Sequence, residues 1–255
     1  MTEAPWGPVQ QEMLDVLART PTDVPDVVAQ LTQLQTLIEQ STPGDRENPV
    51  ADFNRLYLVI TKEIQERLEE GAFGDPEFLI LLDVEFAERY FEALRRWSRF
   101  SEDTPEAWKV LLRRLRDTEV RSLPAAAAGV NAHINYDLPF ALLSTWRKLG
   151  SGPEDEQQHR DYLVVNDVFY EKIPSLRRSY LNTWQLFIDR LNGGLDDWYQ
   201  SRLVEFARDL AWRDATRLWK MRNDPEALEL ERGRLDLHTA LIGWALLSPV
   251  CSLLQ

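Results

Sequence analysis

Two side chains near the middle of the chain have the types and the spacing to move a proton. They are His133 and Asp137, in the stretch Asn131-Ala132-His133-Ile134-Asn135-Tyr136-Asp137-Leu138-Pro139. On a helix they lie about 40° apart on one face, close enough to share a hydrogen bond or to ligate one metal ion. A carboxylate beside an imidazole fixes its tautomer and raises its basicity, which is the arrangement of a general base. Asn131 and Asn135 repeat the same spacing about 160° round the helix. A surface helix has one polar side, so at least one pair is expected to point inward. Groups buried there must be hydrogen-bonded, metal-bound or shifted in pKa. By spacing alone, a structural dyad tying helices together ranks ahead of a catalytic one.

The element that positions these residues reads as a helix from Pro124 to about Leu149. Proline suits a first helical position, and Ala125–Ala128 propagate the helix. Pro139 takes away the helical partner of the Asn135 carbonyl, so a kink is expected there. Ala126 and Gly129 lie near the His133 face and leave room for another helix or a substrate to approach the imidazole.

Elsewhere, helix starts are marked by a capping residue followed by proline at Asn48-Pro49, Asp75-Pro76, Thr104-Pro105 and Asp224-Pro225. Apolar periodicity adds segments at Val9–Leu17, Asp26–Gln40, Glu156–Tyr170, Ser175–Leu191 and Asp196–Met221. No segment alternates with period two and no internal repeat is visible. The expectation is an all-α, single compact domain of about nine or ten helices. Residues 1–48 are expected to form an N-terminal helical extension packed on a core domain of residues 49–255.

The 255 residues carry 29 basic and 42 acidic side chains, a net charge of −13. This disfavours nucleic acid and anionic membranes as partners, since both need a basic face. No apolar run is long enough for a spanning helix, and the opening segment lacks a leader's pattern. A single cysteine, Cys251, excludes an intrachain disulfide and multi-cysteine zinc sites. A cytoplasmic location is the expectation. Nine Trp, seven Tyr and ten Phe supply aromatic faces for a core or an apolar pocket. Of the three histidines, His159 sits in a polar stretch and reads as solvated, whereas His238 reads as a core residue. Asp83 follows the apolar run Leu79–Leu82, so it reads as buried, with Arg55 or Arg89 as its expected partner. Asp161, Asn166 and the Arg208-Asp209 pair are weaker candidates of the same kind.

No G-x-S-x-G, P-loop, Rossmann glycine fingerprint, H-E-x-x-H or EF-hand loop occurs. The helical, aromatic-rich character invites comparison with isoprenoid synthases, yet there is no D-D-x-x-D run. Asp196-Asp197 is followed by Trp198-Tyr199-Gln200, so magnesium-assisted diphosphate ionisation is not expected.

Several segments together resemble a bacterial family of unknown function, DUF5995. They are Phe53-Asn54-Arg55-Leu56-Tyr57-Leu58, Asp83 with Phe86-Ala87 and Arg89-Tyr90-Phe91, the Asn131–Pro139 stretch, Asp161-Tyr162 with Val165-Asn166, and Ala207-Arg208-Asp209 with Ala211-Trp212 and Leu218-Trp219. The resemblance implies an all-helical domain and no established activity. It also implies a shared polar-lined cavity, because so many polar residues exceed what one structural dyad needs.

The leading expectation is an acid–base enzyme (isomerase, cyclase or lyase) acting on a largely apolar small molecule. His133 and Asp137 would form the catalytic dyad, and Asn131, Asn135, Arg55, Asn54, Asp83, Arg89 and Tyr90 the substrate-binding group. No cofactor is called for. The alternatives are a metal-dependent enzyme using His133, Asp137 and Asp83, and a non-catalytic binding or scaffold protein.

Overall fold

The helix starts marked by proline are explained by their caps. Asn48 accepts from the backbone N–H groups of Val50 and Ala51, Asp75 from Phe78 and Asp224 from Ala227. Each cap satisfies donors that a helix end leaves orphaned. Thr104-Pro105 departs from this pattern: no local side chain caps the helix that follows. Its Glu106 and Ala107 N–H groups donate instead to the carboxylate of Asp236, brought in by a distant helix.

The computed structural model describes residues 4–41, 48–117, 120, 122–169, 171 and 197–248. A 3₁₀ turn at Gly7–Val9 leads into α1 (Gln10–Leu17), followed by α2 (Val24–Gln40), α3 (Pro49–Glu69), α4 (Pro76–Ser98) and α5 (Glu106–Leu112). Next come α6 (Ser122–Ala132), a π-helical turn (His133–Asp137) and α7 (Leu138–Leu149), which form one continuous element. The chain continues with α8 (156–169), α9 (Asp197–Lys220) and α10 (Pro225–Leu246). No strand occurs among the described residues, so the all-α expectation stands. The expected segment Ser175–Leu191 and Cys251 lie outside the described residues.

The α6–π–α7 element is the axis of the fold. Its first part packs on α3, α5 and α10, its last part on α4 and α9, and the π turn meets α4, α9 and α10. Two apolar clusters flank it. One gathers Trp6, Met13, Leu31, Phe53, Tyr90, Phe91 and Trp108, together with Ala132 and Tyr136 of the axis. The other gathers Phe78, Leu142, Trp146, Tyr162 and Trp212, together with Ile134 and Leu138. Side chains of α1 and α2 belong to the first cluster, so the N-terminal segment contributes directly to the core that surrounds the axis.

Gly129 brings α3 close to the axis. A Cβ at this position would lie 2.4 Å from the Phe53 ring, so only glycine admits this approach. His238 departs from expectation: it is exposed on α10, beside the Arg234 guanidinium. Its neighbour Thr239 is turned inward instead. No helix among the described residues is long and apolar enough to cross a membrane.

Candidate functional site

The π turn places the chemistry. The N–H of Leu138 donates to the carbonyl of His133, five residues back, which widens the turn by one residue. The expected irregularity at Pro139 therefore falls one turn earlier, and Pro139 sits in the first turn of α7. Within the turn, His133 and Asp137 are both 3% exposed, with His133 Nδ1 2.9 Å from Asp137 Oδ2. Trp108 Nε1 donates to the same oxygen at 2.9 Å. An oxygen accepting from an indole N–H acts on the ring as an acceptor too, so His133 carries its proton on Nδ1. Nε2 keeps its lone pair.

Aromatic rings enclose the imidazole. Phe86 lies flat against it at 3.5 Å between centroids, and Tyr57 meets it edge-on at 4.5 Å. Phe53, Tyr90 and Trp108 complete the enclosure at 5.7 to 6.0 Å. Burial pulls the imidazole pKa below its ordinary value, against the opposing pull of Asp137. The ring is therefore neutral at physiological pH.

His133 forms part of the wall of a cavity with about 680 Å³ of unfilled space, open solvent at its mouth included. The wall is mostly apolar, with Leu56, Ile60, Leu79, Leu82, Ile134 and Leu138 among its residues. His133, Asp83, Tyr57 and Arg208 are its polar exceptions. Three of their atoms are buried with no hydrogen-bond partner: His133 Nε2, Asp83 Oδ2 and the Tyr57 hydroxyl. Native proteins rarely leave such atoms unpaired, so three on one cavity wall call for an explanation. Burial raises the Asp83 carboxyl to about 7 and pushes the Tyr57 hydroxyl well above its ordinary value. Tyr57 is therefore a neutral donor, and near neutral pH a substantial share of Asp83 carries its proton.

The other expected site residues lie elsewhere. Asn131 donates to the carbonyl of Thr239 and Asn135 donates to Asn131 Oδ1, so this pair ties the axis to α10. Asn54 is fully buried and bridges α2 through Leu31 and Gln35, and Tyr90 donates to it from α4. Arg89 donates to the carbonyl of Phe140 and the hydroxyl of Ser144, joining α4 to α7. Arg55 points to the surface and pairs with Glu39 at 2.9 Å. None of these six lines the cavity. Asp83 does, as a carboxyl without the expected pairing to Arg55 or Arg89.

Tyr57 and Phe86 line the cavity but were not singled out for the site. Tyr57 lies three residues after Asn54, on the same buried face of α3, and that spacing was available as a signal. Phe86 gave none, because its place depends on how α4 docks, and Arg208, a weaker candidate in the sequence, is brought to the cavity by the docking of α9.

Among the described residues, no group of three or more His, Cys, Asp or Glu side chains is placed to hold a metal ion. His133 Nδ1 and Asp137 Oδ2 are engaged with each other, which leaves only Nε2 of the ring open to a ligand.

No curated protein and no solved structure matches the chain. The family model DUF5995, a family of unknown function, matches residues 24–249, which include every cavity residue named above, and the chain belongs to that family.

Proposed function

We propose that this protein is an acid–base enzyme that moves a proton on a largely apolar small molecule. The observation that carries the proposal is the set of three unpartnered polar atoms on one apolar cavity wall, one of them the free nitrogen of a carboxylate-oriented histidine. His133 Nε2 takes a proton from a carbon next to a carbonyl, and Asp137 stabilises the imidazolium that forms. The carbonyl oxygen gains negative charge and receives hydrogen bonds from the Tyr57 hydroxyl and the protonated Asp83 carboxyl. Return of the proton to another carbon gives isomerisation. Attack by the enolate on a second carbonyl carbon of the same molecule, whose C=O π bond opens and whose oxygen takes the proton from His133, gives cyclisation. Departure of a leaving group from the β carbon with that proton gives elimination.

The cavity at His133 favours this reading over a scaffold, which would need a closed polar network and no space beside it. With a net charge of −13, the partner is proposed to be a small molecule and not nucleic acid, and the setting the cytoplasm.

The test is deuterium uptake from D₂O into the carbon positions beside the carbonyl of 2-decanone, followed by NMR. The protein should exceed the buffer rate, and His133→Gln should return to that rate while remaining folded. Full exchange in the variant would sink the proposal.

A further inference from the structure

Arg208 is a buried arginine on the cavity wall and, like the half-buried Arg89 and Arg222, it forms no ion pair among the described residues. Arg67, Arg95 and Arg234 each pair with carboxylates. Arg208, 5% exposed, has no carboxylate within ion-pair distance among the described residues. Its Nε donates to Asn166 Oδ1 at 2.6 Å and its Nη2 to the carbonyl of Tyr162 at 2.7 Å. The guanidinium lies over the Tyr162 ring at 4.1 Å. Tyr162 in turn donates its hydroxyl to the Arg208 carbonyl, which locks the side chain between α8 and α9. These contacts use two of the five N–H donors, and Nη1 has no partner among the described residues. Arg208 lines the same cavity as His133.

A buried cation with no carboxylate in contact is costly, Asp209 acting on Arg208 only from a distance, and an anionic ligand would neutralise it. We propose that the cavity takes an apolar carboxylic acid, its carboxylate on the Nη1 side of Arg208 and its hydrocarbon body along Ile60, Leu79 and Phe169. This deepens the reading above, since it names the substrate class of the same cavity. A single cation balances one negative charge. A phosphate monoester carries nearly two and would bring excess charge to an apolar wall that also holds Asp83. The net charge of −13 repels anions generally, so any preference for an anion must arise locally.

The probes are decanoate, decanol and decyl phosphate, titrated into the full chain by calorimetry at pH 7.5. Decanoate should bind at least tenfold tighter than either competitor, the size expected of hydrogen bonds to a buried charge. Ile60→Trp, which fills the cavity, should abolish decanoate binding. Arg208→Gln should erase the preference over decanol while leaving decanol affinity within about threefold. Equal binding of decanoate and decanol to the unmodified protein, tighter binding of decyl phosphate, or decanoate binding that survives Ile60→Trp would each overturn the proposal. The unmodified-protein arm decides the matter even where Arg208→Gln does not fold. The two readings fail separately. Decanoate preference without proton exchange overturns the role given to His133, and exchange without that preference overturns the anionic subsite.

Discussion

The axis helix carries two polar pairs of identical spacing, and they differ in how completely they are satisfied. Asn131 and Asn135 close on themselves: one amide donates to α10, the other to its partner. His133 and Asp137 are more deeply buried than the half-buried Asn135, yet their network ends in an unpaired Nε2. A saturated buried pair contributes to stability and specifies how helices dock. A pair left open beside empty space keeps a lone pair for something else. Completeness of hydrogen bonding, and not residue type or spacing, separates the structural face of this helix from the chemical one.

The largest expected effect tests the open pair. His133→Gln should lower deuterium exchange by about 10²–10⁴-fold, the usual contribution of a positioned base, and change unfolding free energy by less than about 1 kcal/mol. The closed pair should behave in the opposite way. Asn131→Leu leaves the Thr239 carbonyl and the Asn135 amide unpaired, so urea unfolding should show a loss of about 2–4 kcal/mol, with exchange per folded molecule unchanged. An exchange defect in Asn131→Leu as large as that in His133→Gln would erase the distinction between the two faces.

Acidity sharpens the comparison. Asp83 is raised in the folded state, so folding favours its proton. Its contribution is intact below the unfolded carboxylate pKa and is lost as pH rises from there to about 7. Asp83→Asn should therefore stabilise the protein at pH 8 by on the order of 3 kcal/mol and leave it nearly unchanged at pH 3.5, as read by chemical denaturation at both pH values. His133 works in the other direction: its folded pKa is lowered, so stability is lost as pH falls below the unfolded value near 6.5. Together these make proton exchange highest near neutrality, falling on the acid side as His133 charges and above about 7 as Asp83 loses its proton. A rate that keeps rising to pH 9 would remove Asp83 from the donor role.

The smallest effect belongs to the surface. Arg55→Ala breaks an ion pair whose side chains are 44% and 50% exposed, and should cost well under about 1 kcal/mol with no change in exchange.

Much of the architecture was legible in the sequence. Capping residues followed by proline placed α3, α4 and α10 closely, because an orphaned N–H and a fixed φ are local properties. The inward direction of the axis residues was legible too, since two polar faces cannot both meet water. Arg55 could have been assigned to the surface: it is adjacent to Asn54, about 100° round the helix, so burying Asn54 turns Arg55 outward. The π turn was not legible, because Pro139 announces an irregularity without fixing where the ladder absorbs it. Nor was the solitude of Asp83 and Arg208, which follows from α3, α4, α8 and α9 meeting around a gap, a long-range result that no local pattern encodes. The cap supplied to α5 by Asp236 is a further case, for its donor and acceptor lie 129 and 130 positions apart.

The central claim is that His133 is a neutral base with a free Nε2, held by Asp137 through Nδ1–H. The most direct measurement is nitrogen-15 NMR of the histidine rings across pH, a spectrum with three imidazoles to assign. The account predicts that His133 shows the Nδ1–H tautomer, with an Nε2 that is still unprotonated below pH 6.5. An Nε2–H tautomer, or a ring that charges at or above pH 6.5, would contradict it.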